Sequence, residues 1–588
     1  MPRLNNNIFI HQKSTTMKIA SVFLFSLLFF NFTFAQWSSN PNENLPVCDV
    51  SGEQVLPKIG NTSDNGCFIS WFDNRASGYA VYVQRINAFG EKQFTDDGLL
   101  VSGNPQSSSL VDWDMIVDDS DNTIMVFTDT RNGGSINPFA YKISSQGNFL
   151  WGENGISLST SPSTYQANPK VVQTSDGNFV VTWVFGSSPN KIAMQKLSST
   201  GEKLWGTDPI FLTGITNENY TYPSLVSSDS GSIIMYWAGY LGSFISPQNY
   251  HLYSQKFSPA GNPLWSSNPD TVYTLGRVAG FYTPKIFSDG NNGALYVWHD
   301  DRNSINLTTG FVQHFSSSGE HLFPENGVAG STNSSQNHFD PMVAYNSATN
   351  ETYMFWKEAN PLQSMFGVYG QKFSANGTRM WNDEGKIFKA MDNNSYASLS
   401  AIAYENRVMV YYNELPFSGL NDVVKSFQID DAGNFLWNGN ILTVCGVTSE
   451  KLRVNAVVGS NGMSKLVWTD KRSDAGGLYA QNINLDGTFG NITDVTENNS
   501  PQKISLLQNY PNPFNPVTSF EFHISSPSFV SLIIYDILGN EIATLIAERK
   551  DAGNYSVQWN AESFPSGIYF YRLQTNAFFE TRKLILMK

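Results

Sequence analysis

The chain has 588 residues, of which 41% are hydrophobic, 14% aromatic and only 15% charged, and its net charge is −14. The apolar content excludes a disordered chain, and the low share of charged residues excludes a long coiled coil. The negative charge disfavours nucleic acid and anionic membrane surfaces as partners, because both are negative themselves.

A secretion signal is predicted over residues 1–35. Lys18 precedes an apolar run, Ile19–Phe34, which is shorter than a comfortable membrane span. Small residues before a cut after Ala35 fit signal peptidase, so the mature chain is predicted to begin at Gln36, with Met17 as the true start. No later run reaches 18 apolar residues, so we expect no transmembrane segment in the mature chain.

An internal repeat of about 57 residues follows the signal. Each unit has a glycine in a short polar turn, at Gly90, Gly147, Gly201, Gly261, Gly319, Gly377, Gly433 and Gly487. Each unit also has an aromatic residue that ends an alternating apolar run, at Trp71, Phe127, Trp183, Trp237, Trp298, Trp356, Tyr412 and Trp468. A period of this length is typical of β-propeller blades and is longer than helical repeats.

Each unit is predicted to form four antiparallel strands, the pattern of a propeller blade. In the third unit we expect strands at 169–172, 179–183, 192–196 and 204–212. Five units carry a proline that is predicted to mark the start of the first strand: Pro57, Pro169, Pro223, Pro284 and Pro341. Seven units carry an aromatic residue four positions after the turn glycine: Phe94, Trp151, Trp205, Trp265, Phe323, Trp381 and Trp437. These aromatic residues are interpreted as packing between blades.

The ends of the repeat predict how the propeller closes. The eighth unit lacks the aromatic residue after its turn and hence its outermost strand, whereas residues 37–41 repeat residues 265–269 letter for letter. The N-terminal segment is therefore predicted to supply the missing strand as a latch. The predicted fold is all-β, with an eight-bladed propeller over 36–490, a linker over 491–506 and a separate domain over 507–588.

A [Trp/Phe]-x-Asp-x-Arg motif recurs on the face that carries the loops between second and third strands. It occurs at Trp71-Asp73-Arg75, Phe127-Asp129-Arg131, Trp298-Asp300-Arg302 and Trp468-Asp470-Arg472. We interpret it as structural, with an Asp that closes a turn and an Arg that reaches a carboxylate. The acidic run 118–122 lacks the glycine and distal Glu of a calcium loop, so we interpret it as a hairpin turn.

The fifth unit has the most titratable side chains on that face. His299, Asp300 and Asp301 follow its strand-ending Trp, and His338 and Asp340 lie in the loop that enters the sixth unit. These side chains could bind a divalent metal or act as an acid/base pair, or they could be solvated polar loops. The spacing does not decide between these interpretations.

The three cysteines, Cys48, Cys67 and Cys445, are too few for a disulfide scaffold and are interpreted as buried apolar residues, with their pairing left open. The chain has no nucleophile elbow, Walker A motif, HExxH motif or dinucleotide fingerprint. No cofactor is predicted.

The last 82 residues form a predicted sandwich of the immunoglobulin type. Its strands are expected at 519–524, 530–535, 541–545, 555–559, 567–573 and 583–587. Its motifs resemble those of the C-terminal sorting domain of type IX secretion, through Asn509, Pro511, Pro513, Pro516, Gly539, Gly553, Trp559, Gly567, Tyr569, Arg572, Arg582 and Lys583.

This resemblance implies export across the inner membrane and recognition of the tail by an outer-membrane translocon, so the chain is expected at the surface of a Gram-negative bacterium or in its medium. In many members of the family the tail is then removed. The repeats resemble those of secreted propellers, which implies no particular activity. We therefore predict a propeller that binds a glycan, polymer or protein without catalysis. The alternative is a polysaccharide hydrolase with carboxylates on the loop face.

Overall fold

The computed structural model describes residues 36–76, 78–106, 112–133, 135–243, 246–275, 283–302, 307–417, 419, 421–491, 505–524, 527–551, 553–575 and 579–588. The chain divides into two units, Met1–Asn491 and Ile492–Lys588. The predicted signal peptide lies outside the described residues, as does most of the predicted linker. No helix in the described part of the chain has the length and apolarity needed to cross a membrane.

The described residues of the first unit form eight four-stranded antiparallel sheets. The first four sheets, with their strands in order of pairing, are: first, β2 (Gln54–Asn61), β3 (Cys67–Asp73), β4 (Tyr79–Ile86) and β5 (Leu99–Gln106); second, β6 (Asp114–Val117), β7 (Thr123–Asp129), β8 (Asn137–Ile143) and β9 (Ile156–Ser157); third, β10 (Gln166–Gln173), β11 (Phe179–Phe185), β12 (Lys191–Leu197) and β13 (Ile210–Leu212); fourth, β14 (Asn219–Ser227), β15 (Ile233–Ser243), β16 (Ser246–Phe257) and β17 (Asp270–Tyr273). The other four are: fifth, β18 (Lys285–Ser288), β19 (Ala294–Asp300), β20 (Thr309–Phe315) and β21 (Val328–Ala329); sixth, β22 (Asn337–Asn346), β23 (Glu351–Ala359), β24 (Phe366–Phe373) and β25 (Lys386–Asp392); seventh, β26 (Ser395–Tyr404), β27 (Arg407–Leu415), β28 (Val423–Ile429) and β29 (Ile441–Cys445); eighth, β30 (Lys451–Val458), β31 (Ser464–Asp470), β32 (Gly477–Ile483) and β1 (Leu45–Cys48).

These sheets are β-propeller-like. Each sheet contacts the next one in chain order, and the eighth contacts the first through β30 and β2. The side-chain amide of Asn455 donates to the carbonyl of Pro57 at 3.0 Å, and that of Asn61 donates to the carbonyl of Val458 at 2.7 Å. Two one-turn 3₁₀ helices, Ile215–Asn217 and Asp229–Gly231, flank β14.

Burial explains why the second strand of each unit reads as an almost continuous apolar run. Every residue of β3, β7, β19 and β31 is buried, because these strands lie between neighbouring sheets. The fourth strands are more exposed, as in β25. In the third unit the fourth strand covers only Ile210–Leu212, so the predicted strand over 204–212 is too long.

The N-terminal segment supplies the fourth strand of the eighth sheet. β1 pairs antiparallel with β32, with Leu45 opposite Ala480. Upstream, the Gln481 side chain donates to the carbonyl of Ser38 at 2.9 Å, just as Gln255 donates to the carbonyl of Ser266 in the fourth sheet. The residues that repeat letter for letter thus occupy the same position, and the N-terminal strand begins three residues later than its counterpart β17.

Each turn glycine lies against an aromatic ring from the preceding sheet. A Cβ built on Gly487 would be 2.9 Å from Trp437, and one built on Gly90 would be 3.0 Å from Trp37. The glycines have positive φ, 88° at Gly487, which also favours a residue without a side chain. The full set of pairs is Trp37–Gly90, Phe94–Gly147, Trp151–Gly201, Trp205–Gly261, Trp265–Gly319, Phe323–Gly377, Trp381–Gly433 and Trp437–Gly487. Trp37 therefore serves as the aromatic residue that the eighth unit lacks.

The indole N–H groups add a second link between sheets. Nε1 of Trp437 donates to the carbonyl of Leu485 at 3.0 Å, and Nε1 of Trp37 donates to the carbonyl of Ala88 at 3.1 Å. In both cases the acceptor lies two residues before the turn glycine. Trp151, Trp205 and Trp265 make the same bond. These contacts support the interpretation that the aromatic residues pack the sheets together.

The second unit consists of two antiparallel sheets around a shared core. One sheet contains β33 (Ser505–Leu506), β34 (Val517–Ile524) and β37 (Gly553–Asn560), and the other contains β36 (Glu541–Lys550), β35 (Ser528–Tyr535), β38 (Gly567–Gln574) and β39 (Phe579–Leu586). Phe520, Leu532, Trp559 and Tyr571 belong to the core between them. All six predicted strands are present, most of them longer than predicted, and β39 begins four residues earlier.

We expect Trp37→Ala to lower the melting temperature, because it removes a buried ring from the contact between the eighth and first sheets. Truncation of a buried Trp typically costs about 3–5 kcal/mol, and Trp37 is 4% exposed. Differential scanning calorimetry of the full chain measures the effect. Phe89→Ala is the matched control, since Phe89 is 61% exposed.

Deletion of residues 36–48 should lower the melting temperature further and cause aggregation through the unpaired edge of β32. Unchanged melting of Trp37→Ala and of the deletion would contradict the role of the latch.

Candidate functional site

A central cavity of about 810 Å³ lies among the first strands of the sheets. Each of the eight sheets, or the segment that leads into it, contributes at least one lining residue: Leu56, Trp113, Asn168, Tyr222, Lys285, Met342, Ser398 and Arg453 are examples in chain order. The volume is within the range of about 300–1,000 Å³ that is typical of ligand sites. This cavity, to which all eight sheets contribute, is the candidate site.

Backbone irregularities aim side chains at this cavity. Six first strands contain a β-bulge with a non-glycine residue at φ between 50° and 58°, namely Leu56, Asn168, Tyr222, Asp340, Ser398 and Arg453. Such conformations are uncommon for residues with a side chain, and bulges re-aim side chains near functional sites. All six residues line the central cavity or one that borders it.

The bulges correct the prediction for the prolines. Pro57, Pro169, Pro223 and Pro341 lie inside the first strands, directly after the residue with positive φ, rather than at the strand starts. Proline is tolerated there because a bulge leaves one residue outside the hydrogen-bonded ladder. Pro284 directly precedes β18, as predicted.

One wall of the cavity carries two lysines around a single carboxylate. Nζ of Lys58 is 3.6 Å from Oδ1 of Asp112, and Nζ of Lys170 hydrogen-bonds to Oδ2 of the same side chain. Burial alone would raise the pKa of Asp112, but the two ammonium groups lower it to about 2. Burial and the neighbouring Lys170 lower the pKa of Lys58. Asp114 also acts electrostatically on both lysines, so the cluster as a whole has two cations and two carboxylates.

The predicted Trp-x-Asp-x-Arg motifs form closed structural clusters. Oδ2 of Asp300 accepts from Nε1 of Trp298 at 2.8 Å and from Nη2 of Arg302 at 2.7 Å. The Arg302 guanidinium lies 3.7 Å from the ring centre of Phe311. Asp73, Asp129, Asp300 and Asp470 are all fully buried. Burial alone would raise the pKa of Asp73, but hydrogen bonds from Arg75 and Trp71 bring it below its usual value. These contacts support the structural interpretation of the motif.

Three of the five fifth-unit candidates, His299, Asp300 and His338, are buried strand residues rather than solvated loop residues. His299 and Asp300 belong to the end of β19 and are 2% and 0% exposed, and His338 belongs to β22 and is 1% exposed. Burial lowers the pKa of both histidines to about 4. Asp301 and Asp340 are half-buried, and Oδ2 of Asp340 is 3.5 Å from Nζ of Lys357. In the described part of the chain, no group of three or more His, Cys, Asp or Glu side chains is placed to hold a metal ion.

The candidates fall into two separate places. His299 and Asp340 line a small cavity of about 10 Å³, which holds at most one water molecule. His338 instead lies opposite Glu358 on β23, with Nε2 3.5 Å from Oε2 of Glu358. Asp300 is held in its own cluster with Trp298 and Arg302. The structure therefore does not bring the five side chains together around one open site.

Glu358 was not singled out from the sequence. Its Oε2 accepts from Nε1 of Trp356 at 2.6 Å, the bond that Asp300 makes with Trp298. Burial raises the pKa of Glu358 to about 7. The signal was present as Trp356-x-Glu358, a variant of Trp-x-Asp in which no arginine follows.

The acidic run at 118–122 forms the hairpin turn between β6 and β7, as predicted. Oδ1 of Asp118 accepts from the backbone N–H of Ser120 and of Asn122. Its Oδ2 is 2.9 Å from Nζ of Lys142, so a lysine occupies the place that a cation would need. The three cysteines are buried and free, and burial raises the pKa of Cys48 and Cys67 to about 11.

Most of the sorting-motif residues have structural roles in the second unit. The backbone N–H of Asn509 donates to the Tyr571 hydroxyl, whose O–H donates to the carbonyl of Leu507. Trp559 and Tyr569 are buried in the core, and Gly539 has a φ of 85° in the β35–β36 turn.

The other motif residues stand at edges and turns. Pro511 and Pro513 follow cis peptide bonds, and the carbonyl of Pro516 accepts from Ala561. Gly553 and Gly567 begin β37 and β38. Of the last three motif residues, Arg572 donates to the hydroxyl of Thr581, Arg582 pairs with Glu580, and the carbonyl of Lys583 accepts from the side chain of Asn512. At the start of the described chain, the side chain of Gln36 accepts from Asn491 at 3.3 Å, and Ala35 lies outside the described residues.

Residues 508–587 match the family of secretion system C-terminal sorting domains. The chain therefore ends in a type IX sorting domain and is a secreted or cell-surface protein of a Gram-negative bacterium. No curated protein sequence matches the chain.

Among solved structures, PorZ, a surface component of the type IX secretion system of Porphyromonas gingivalis, is 11% identical with a TM-score of 0.32, covering 90% of this chain and 70% of PorZ. The Dos1 propeller is 11% identical with a TM-score of 0.39, covering 78% of this chain and 97% of that structure. An ulvan lyase is 10% identical with a TM-score of 0.41, covering 71% of this chain and 98% of that structure. Values this low carry no information on the activity of this chain.

We expect Asp300→Asn to destabilise the first unit, because an amide leaves the Arg302 guanidinium without its buried countercharge. Loss of one partner of a buried pair costs about 3–5 kcal/mol. Asp119→Asn, at an exposed aspartate in the turn between β6 and β7, is the matched control and should melt within about 0.5 kcal/mol of the parent. Thermal unfolding of both variants is the measurement. Equal melting of the two would mean that Asp300 is free for another role.

Proposed function

We propose that this chain, which its sorting domain directs to the cell surface or the medium, binds a glycan, a polymer or another protein at its central cavity and does not transform it. The first unit is proposed to be an eight-bladed propeller over residues 36–490, closed by the N-terminal strand. Residues 491–506 would be a linker and residues 507–588 an immunoglobulin-like sandwich. Residues 1–35 would be a signal peptide removed during export.

The observation that carries this proposal is the composition of the cavity wall. Eight sheets contribute to one cavity, and five of them do so through a bulged residue with positive φ; the sixth such residue, Asp340, lines the adjoining cavity. Each such residue costs about 1–3 kcal/mol, and such strain is concentrated at binding and active sites.

The carboxylates of the loop face favour binding over hydrolysis. Glycoside hydrolysis uses two carboxyl groups within reach of the same bond. Asp73, Asp129, Asp300 and Asp470 are each buried and paired with an arginine, and Glu358 is 2% exposed. Groups held in this way cannot approach a polysaccharide without disruption of the sheets.

Binding is tested with the purified full chain and plates coated with starch, cellulose, xylan, pectin or sulfated polysaccharides. Thr283 is exposed at the cavity wall, and Thr283→Trp is expected to block the cavity and weaken binding at least tenfold. Thr207→Trp, an exposed threonine at the outer edge of the third sheet, is the matched control and should bind like the parent. Equal binding by both variants would place the ligand elsewhere. Release of reducing ends from a bound polymer would favour the hydrolase instead.

The export role of the tail has its own test. A chain that ends at Ser505 should cross the inner membrane and stay in the periplasm, because it lacks the domain that the outer-membrane translocon recognises. Residues 491–588 fused to an unrelated periplasmic protein should carry that protein to the surface or medium in a host with type IX machinery.

Fractionation with immunodetection reads out both chains. The matched control is the same fusion with Trp559→Ala, which removes a core ring of the second unit and should stall in the periplasm. Normal surface display of the chain that ends at Ser505 would show that the tail is not needed for sorting.

A further inference from the structure

Lys285 is a cation without a carboxylate partner in the cavity wall. Among the described residues, the only hydrogen-bond partner of its Nζ is the thioether sulfur of Met342 at 3.0 Å, and no carboxylate lies within salt-bridge distance. The nearest candidate, Asp340, is engaged by Lys357 at 3.5 Å. Burial lowers the pKa of Lys285, although Asp340 opposes this shift. Lys285 is thus half-buried, and its ammonium has no carboxylate within salt-bridge distance among the described residues.

Arg453 adds a second uncompensated cation. It is exposed, lies at a bulge with a φ of 58°, and its guanidinium has no hydrogen bond or ion pair within the described part of the chain. Both Arg453 and Lys285 line the central cavity and an adjoining one of about 330 Å³. They therefore stand where the two cavities meet.

The whole site is cationic in an acidic protein. Five cations, Lys58, Lys170, Lys285, Lys357 and Arg453, stand against three carboxylates, Asp112, Asp114 and Asp340. The chain as a whole has a net charge of −14. A concavity lined mainly by positive charge focuses the field and raises the local concentration of anions, even in a chain that is negative as a whole.

We propose that the central cavity binds the anionic groups, carboxylate or sulfate, of an acidic polysaccharide, with Lys285 and Arg453 as the groups that pair with them. This inference rests on the proposed function and adds the class of ligand. An incoming anion would give Lys285 and Arg453 the countercharge that they lack.

The remaining wall favours a sugar over an acidic peptide. Hydroxyl and amide side chains alternate with the cations: Tyr165, Asn168, Thr283, Ser398, Ser400 and Asn455. Tyr165 is 48% exposed and offers an aromatic surface together with a hydroxyl. Such a wall matches a chain in which hydroxyl groups alternate with anionic groups. A folded protein domain is too large for a cavity of about 810 Å³.

The test measures binding of the purified full chain to polygalacturonate, which carries carboxylates, to dextran sulfate, to neutral dextran and to poly-glutamate. Isothermal titration at low salt and at 0.5 M NaCl gives the affinities. We expect binding to one or both acidic polysaccharides that weakens with salt, and weaker binding of the other two polymers. The stronger of the two acidic polysaccharides identifies the anionic group.

Binding by substituted chains tests which side chains form the site. Lys285→Met and Arg453→Gln should each weaken binding at least tenfold, while Lys285→Arg should restore most of it. Lys203→Met removes the same charge at the outer edge of the third sheet, where Lys203 donates to the carbonyl of Thr207, and should change nothing. Melting curves confirm that each variant is folded. Arg453→Gln keeps the test decisive if Lys285→Met does not fold, because Arg453 is exposed.

Four results would overturn the inference. Unchanged affinity of Arg453→Gln and Lys285→Met, or an equal loss in Lys203→Met, would remove these side chains from the site. Poly-glutamate binding as tight as that of the acidic polysaccharides would show charge attraction without recognition of a sugar. Neutral dextran that binds as tightly, and is blocked by Thr283→Trp, would overturn the anionic ligand but leave the proposed function intact. Absence of binding to any polymer, here and on the coated plates, would overturn both.

Discussion

The contact on which the first unit depends is that of an aromatic ring with the turn glycine of the next sheet. Gly319 illustrates the constraint: a Cβ at this position would come within 2.9 Å of Trp265, so any side chain would push the two sheets apart. The indole N–H of Trp265 then fixes the distance by donating to the carbonyl of Ser317. The same contact recurs at every sheet, including between Trp37 and Gly90, and the first strands line a common cavity.

The buried Asp–Arg clusters stabilise the opposite edges of the same sheets. Asp470 accepts from Trp468, Ser449 and Arg472, so the end of β31 is tied to the neighbouring strands by one side chain. Buried charges of this kind are tolerated only when every oxygen has a donor. Polar residues that look catalytic in the sequence therefore have structural roles. The side chains that can contact a ligand are those that take no part in these recurring contacts.

This division explains which features the sequence could predict. The strands, the turn glycines and the N-terminal strand could be predicted from the periodicity, since the same types of residue make the same packing contacts in every sheet. The cavity could not, because much of its wall is made where units differ. The position of Arg453 carries Leu56, Asn168, Tyr222, Asp340 or Ser398 in the other bulged units, whereas Lys285 shares its position with Lys58 and Lys170. The bulges could not be predicted from the sequence either, because the sequence around Pro341 does not show whether this proline begins a strand or follows Asp340 inside one. The buried state of His299 and His338 depends on rings from the adjacent sheet, Phe339, and from the partner strand, Trp356.

The pairing of β1 with β32 also has a consequence for the order in which the chain can fold. Leu45 and Ala480 are neighbours in the eighth sheet but are separated by most of the chain. Contacts between such distant positions form late, since the entropy of closing the intervening loop must be overcome first. Until then the outer edge of β32 stays open to strand pairing with other molecules, so a partly synthesised or newly exported chain is at its most aggregation-prone just before completion. β1, the first strand to be synthesised, is therefore the last to pair with its neighbour.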